Sequence, residues 1–220
     1  MALRPRRTRR RAVSDPLTRL LALAAVVSTG GVIGGELLRV WRRGDAPLPS
    51  ETSDVVAAAG TATRQTMEVA VEGYRSGTLR ENALFNLLLS FNVAWATARI
   101  SAHMIRRRGS WGPFRNAVVG RTHVHHFVPG IALALIAGGG AIVSRNEAIE
   151  PLLAVPFGVG AALTLDESAL LLRLDDVYWT EDGILSVQIS LASLSLVSAA
   201  ALAARVLRRG ERRVLEEPAA

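Results

Sequence analysis

The sequence predicts an all-α fold, a polytopic bundle of about five transmembrane helices with one added amphipathic helix. Three observations predict it. Half of the 220 residues are hydrophobic, and the mean hydropathy is positive, at +0.27. Only 20% of the residues are charged, and these gather in the first dozen positions, a central stretch and the C-terminus. Between them lie apolar runs of about 18–25 residues, the length that carries a helix across roughly 30 Å of hydrocarbon.

The charge pattern narrows the class further. All 26 basic residues are arginine, and the formal net charge is +7. Arginines that flank apolar runs orient a membrane protein, so no nucleic-acid partner is expected; the partners expected are membrane lipids and a second copy or another membrane protein. Cysteine is absent, which excludes disulfides and thiolate metal sites. The usage of arginine without lysine, with much alanine, valine, leucine and glycine, suits a high-GC coding genome.

Residues 1–16 read as a basic cytoplasmic tail. Ser14-Asp15-Pro16 supplies a helix start, with a capping side chain and proline in the first turn. The first span follows over 17–41. It has the basic flank of a signal peptide, but its apolar stretch continues through Gly30, Gly31, Gly34 and Gly35, so a retained anchor is expected, with those glycines as a close packing face. Glu36 and Arg39 are expected to form a local pair. Residues 53–74 alternate Val55, Val56, Met67, Val69 and Val71 with Asp54, Arg64, Glu68 and Glu72; that is an amphipathic helix lying on the membrane or against the bundle ends.

Four further spans are expected over 82–104, 126–144, 151–174 and 184–207, making 17–207 the bundle and 208–220 a polar tail. Asn82, Asn86 and Asn92 are expected to hydrogen-bond between helices. Gly138–Gly140 is expected to be a packing feature. Ser186, Ser190 and Ser193 share one helical face and suggest an interhelical stripe. With the N-terminus in the cytoplasm of a bacterial cell, the Arg106–Arg121 loop obeys the positive-inside rule and Arg208, Arg209, Arg212 and Arg213 break it.

Ionisable side chains at membrane depth are costly, so each needs a reason. Spans two and four end, and spans three and five begin, on the same side. Span two brings Arg99 and His103 there, at i and i+4. Span three is preceded by His123, His125 and His126. Span four carries Asp166 and Glu167, then Asp175 and Asp176. Arg99 and Asp166 each lie about 9–10 Å beneath the interface at 1.5 Å per residue, deep enough to meet.

Three readings follow. In the first, His103, His123, His125, His126, Asp166 and Glu167 hold a divalent metal, for which imidazole and carboxylate suit zinc, iron or manganese. Arg99, Asp175 and Asp176 support the site. The chain is then a metal-dependent hydrolase of a membrane-borne substrate. In the second, this is a polar bundle end where Arg99 neutralises Asp166 or Glu167, and the protein is a non-enzymatic scaffold or assembly protein. In the third, Asp166 or Glu167 carries protons or ions through a small transporter. No Gly-x-Ser-x-Gly, His-Glu-x-x-His, Walker or dinucleotide-binding motif is present.

The run His123-Val-His-His126, Asp166-Glu167-Ser-Ala-Leu and Asp175-Asp-Val-Tyr-Trp179 resembles a group of uncharacterised integral membrane proteins from high-GC Gram-positive bacteria. The resemblance spans about Arg121 to Ser186. It implies a membrane location and a helical architecture, and no activity.

Overall fold

The computed structural model describes residues 16–108, 118–119, 122–123, 126–144, 146–166 and 181–216. It is an all-α bundle. Helix α1 is Pro16–Arg43, α2 Val55–Arg75, α3 Leu79–Arg108, α4 Phe127–Val143, α5 Glu150–Asp166 and α6 Glu181–Glu211. A turn of 3₁₀ helix precedes α5, and a π-helical turn over Arg212–Glu216 extends α6. The loop before α4 adds a single antiparallel bridge, Val118 opposite His123 and Val119 opposite Thr122.

The helices start where polar side chains satisfy their first amides. Asp54 Oδ1 accepts from the Ala57 amide at 3.0 Å to start α2, and Thr78 Oγ1 accepts from the Glu81 amide at 3.2 Å to start α3. Each is an N-cap, supplying an acceptor that the helix itself lacks. Proline opens α5 at its second residue, Pro151, where the missing N–H costs nothing.

The stretches Pro16–Arg43, Leu79–Ile105, Glu147–Asp166 and Val187–Leu215 are long and apolar enough to cross a membrane. Helix α4 is apolar but shorter, at 17 residues. The chain is a multi-pass membrane protein. Its outer surface fits that reading: Leu20, Leu23, Val27, Leu135, Ile136 and Ile142 are all exposed, a surface water would not tolerate on this scale.

Cross-helix contacts fix the directions. The Asn86 amide donates to the Pro151 carbonyl at 2.8 Å, and Arg99 pairs with Asp166, so α3 and α5 run parallel. Parallel neighbours need a return between them, and α4 provides it: His126 faces Asp166 at one end, and Gly140 meets Leu153 at the other. Helix α6 runs antiparallel to α3, with Asn92 donating to Ser195 Oγ at 2.9 Å. Helix α1 lies beside α6 in the same direction, since Glu36 meets Arg208 and Arg39 meets Glu211. The bundle therefore has an Asp166 end, which holds the candidate site, and a Glu211 end.

Glycine sets the closeness of α5 to its neighbours. A methyl at Gly160 would lie 2.6 Å from the Gly130 carbonyl oxygen of α4, and one at Gly158 would lie 2.4 Å from the Leu87 carbonyl oxygen of α3. Backbone contacts this close need small residues, the usual means of association where lipid is as apolar as leucine. At the Glu211 end, α2 crosses α6 in the same way at Gly73 and Gly210, above a small core of Val40, Val69 and Leu207.

Several expectations are corrected. Within one chain the face of Gly30, Gly31, Gly34 and Gly35 is open, with nothing within 4 Å of an added methyl; α1 turns Thr18, Ala25, Glu36 and Val40 inward instead. Ser190 is exposed. The inward face of α6 is Gln188, Ala192, Ser195 and Ala199, which follows the same helical spacing rotated from the expected stripe. Helix α6 continues through Arg208 to Glu211, where a tail was expected. Glu36 is not confined to a local pair: Arg39 approaches it at 3.8 Å, but Arg208 Nε donates to it at 2.7 Å. The expected end of span four, over 167–174, and the basic tail before Pro16 lie outside the described residues.

Gly160→Val should destabilise the detergent-purified protein by about 1–3 kcal/mol through overpacking. Gly139→Ala, with nothing within 4 Å of the added methyl, should be neutral or stabilising by ~0.5–1 kcal/mol. Thermal unfolding of the two variants beside wild type checks both.

Candidate functional site

Side chains from α3, α5 and α6, and from the residue that opens α4, meet at the Asp166 end. Asp166 is the last residue of α5, and its side chain is only 6% exposed. Its Oδ1 forms an ion pair with Arg99 Nε of α3. Its Oδ2 lies 3.1 Å from Nε2 of His126, the residue that caps α4. Arg99 also donates from a terminal nitrogen to Gln188 Oε1 of α6. Gln188 Nε2 in turn donates to the carbonyls of Leu165 at 2.7 Å and Asp166 at 3.0 Å. The Arg99 guanidinium lies over the Trp95 ring, 5.5 Å from its centroid.

The energetics follow from burial. A carboxylate taken out of water loses several kcal/mol of hydration, which only a close cation and further hydrogen bonds offset. Arg99 is suited to this because its planar guanidinium holds Asp166 and Gln188 at once and still stacks on an aromatic ring. Gln188 does two tasks: it accepts from Arg99, and it donates to the last two described carbonyls of α5.

Of the residues the sequence singled out, Arg99, His126 and Asp166 meet. It missed Gln188 and Trp95. The signals were present: a lone glutamine in the first turns of an apolar span, and an aromatic ring one helical turn before the arginine. His103 is exposed and makes no hydrogen bond or ion pair among the described residues. The backbone of His123 is in the short bridge, but its side chain, together with His125, Glu167, Asp175 and Asp176, lies outside the described residues. Among the described residues, no three histidine or acidic side chains gather as a metal centre would need.

Comparison of the chain with protein-family models, curated proteins and solved structures gave no match in any of the three. The chemistry of the site therefore rests on its own geometry. The arrangement neutralises a buried acid, ties four helices at one depth and leaves an imidazole oriented by a carboxylate.

The two partners of the ion pair differ in exposure, 36% for the Arg99 side chain against 6% for Asp166. Arg99→Leu strands the more buried charge and should cost about 3–5 kcal/mol. Asp166→Asn leaves an arginine that still reaches Gln188 and solvent, and should cost less, ~1–3 kcal/mol. Reversible unfolding of each variant in mixed micelles checks the order.

Proposed function

We propose that the protein is a non-enzymatic scaffold or assembly protein of the bacterial cell membrane, and that the Asp166 cluster is its interhelical lock. The observation that carries this reading is that both oxygens of Asp166 are engaged, one by Arg99 and the other by His126. Two asparagines of α3 behave likewise. Asn86 bonds to Tyr74 Oη and the Pro151 carbonyl, each at 2.8 Å, and Asn92 bonds to Ser195. Such bonds across helices contribute about 0.6–2 kcal/mol each. They are consumed in holding the helices together, as a structural role requires. The arginine-rich flank at 1–16 supports a cytoplasmic N-terminus, which sets the Asp166 end on the cytoplasmic side.

A second reading is favoured by the His126–Asp166 contact. A carboxylate bonded to an imidazole is how metal-binding histidines are oriented, so a divalent metal (zinc, iron or manganese) held by His126 with neighbouring histidines remains the alternative, and with it a membrane hydrolase.

One pair of measurements separates the two. For a lock, the exchanged variant Arg99→Asp/Asp166→Arg should regain at least half of the stability that Arg99→Leu loses. Elemental mass spectrometry of the purified protein should then find no stoichiometric metal in wild type. About one equivalent of zinc, iron or manganese, lost in His125→Ala/His126→Ala, would sink the scaffold reading in favour of the metalloenzyme.

A further inference from the structure

The Glu211 end holds a charged cleft that shares no side chain with the Asp166 cluster. It lies between the N-terminal turns of α3 and the last turns of α6, and has a volume of about 640 Å³. Arg80, Arg205, Arg208, Arg209 and Arg212 line it, against a single acid, Glu81. Two of these arginines are committed elsewhere. Arg208 Nε donates to the buried Glu36 of α1 at 2.7 Å, and Arg209 pairs with Glu81 while also donating to the Gly73 carbonyl at 3.0 Å. Arg80, Arg205 and Arg212 are exposed, and among the described residues no carboxylate lies within ion-pair distance of them.

Three guanidinium groups that have no counter-charge among the described residues, set beside a helix N-terminus, make an anion site. The N-terminus of α3 adds its own partial positive charge, and the guanidinium fork matches phosphate oxygens two at a time. The position selects the anion's source. Thr78 to Leu84 stand at the start of one membrane-crossing stretch, and Leu202 to Arg212 lie in the second half of another, where arginines replace its apolar residues; such a boundary is where headgroups meet helices. Leu202 forms a buried wall and Leu84, also in the lining, is about half exposed. Phosphate-binding arginines above an apolar rim fit an amphiphile with a charged head and a hydrocarbon tail, and basic pockets between membrane helices take such heads.

We propose that this cleft binds the phosphate headgroup of an anionic membrane lipid, with Arg80, Arg205 and Arg212 as its ligands and Leu84 and Leu202 against the upper acyl chain. Arg208 and Arg209 position the α6 end of the cleft through Glu36 and Glu81.

The test uses the full chain in detergent, titrated with dioleoylphosphatidylglycerol, with dioleoylphosphatidylcholine, and with inorganic pyrophosphate alone, and reads bound lipid by native mass spectrometry and stability by thermal shift. Phosphatidylglycerol should bind and stabilise more than phosphatidylcholine. Arg80→Gln/Arg205→Gln/Arg212→Gln should weaken it by about a hundredfold, while Arg42→Gln/Arg64→Gln/Arg75→Gln, with the same change of charge outside the cleft, should leave it unchanged. If the triple cleft variant does not fold, Arg205→Gln alone should show the same direction of change. Equal losses in the two triple variants, or equal binding of the two lipids, would overturn the proposal. Pyrophosphate protecting as well as the lipid would overturn the lipid assignment and leave a soluble phosphate compound as the ligand.

Discussion

Everything else in this bundle is arranged around the cost of placing ionised groups where water is scarce. Asp166, Glu36 and Glu211 are all nearly inaccessible, and Glu211 is completely so. An unpaired carboxylate in such a place is unstable by several kcal/mol, so each position is possible only because an arginine from another helix arrives there. Asp166 takes Arg99; Glu36 takes Arg208; Glu211 takes Arg39 at 3.2 Å and Arg43 at 2.7 Å. Helix order, direction and depth are consistent with these pairings, because a shift of one helix by a single turn would separate each pair by ~5 Å.

The two ends resolve the same problem with different geometry. At the Asp166 end one acid is shared among four helices through Arg99, Gln188 and His126. At the Glu211 end the acids are outnumbered, and the surplus positive charge opens into a cleft. Glycine mediates between the ends. Gly158 and Gly160 let α5 approach α3 and α4 closely enough for Arg99 and His126 to reach the same carboxylate, and Gly73 and Gly210 bring α2 onto α6.

The membrane class, the helices and the meeting of Arg99, His126 and Asp166 were legible in the sequence, because apolar run length and the depth of a charge within a run are one-dimensional quantities. Which face of a helix turns inward was not. Gly30–Gly35 and Ser190 have the small side chains of an interface, yet small residues suit lipid contact as well as helix contact, and burial followed Glu36 and Gln188 instead. The role of Glu211 was hidden for a related reason. A glutamate among arginines near a C-terminus has the composition of a solvated tail, and only the arrival of Arg39 and Arg43 from a distant helix makes its burial favourable.

That distance sets an order on how the molecule is made. Glu36 and Arg208 are 172 residues apart in the chain. At typical ribosomal speeds of about 5–20 residues per second, some ten to thirty seconds separate their synthesis. Through that interval the opening helix holds a glutamate whose only nearby counter-charge is Arg39, one turn away. The tie between α1 and α6 can therefore form only after α6 has been made; until then Glu36 has the looser partner, since Arg39 reaches it at 3.8 Å where Arg208 Nε reaches it at 2.7 Å.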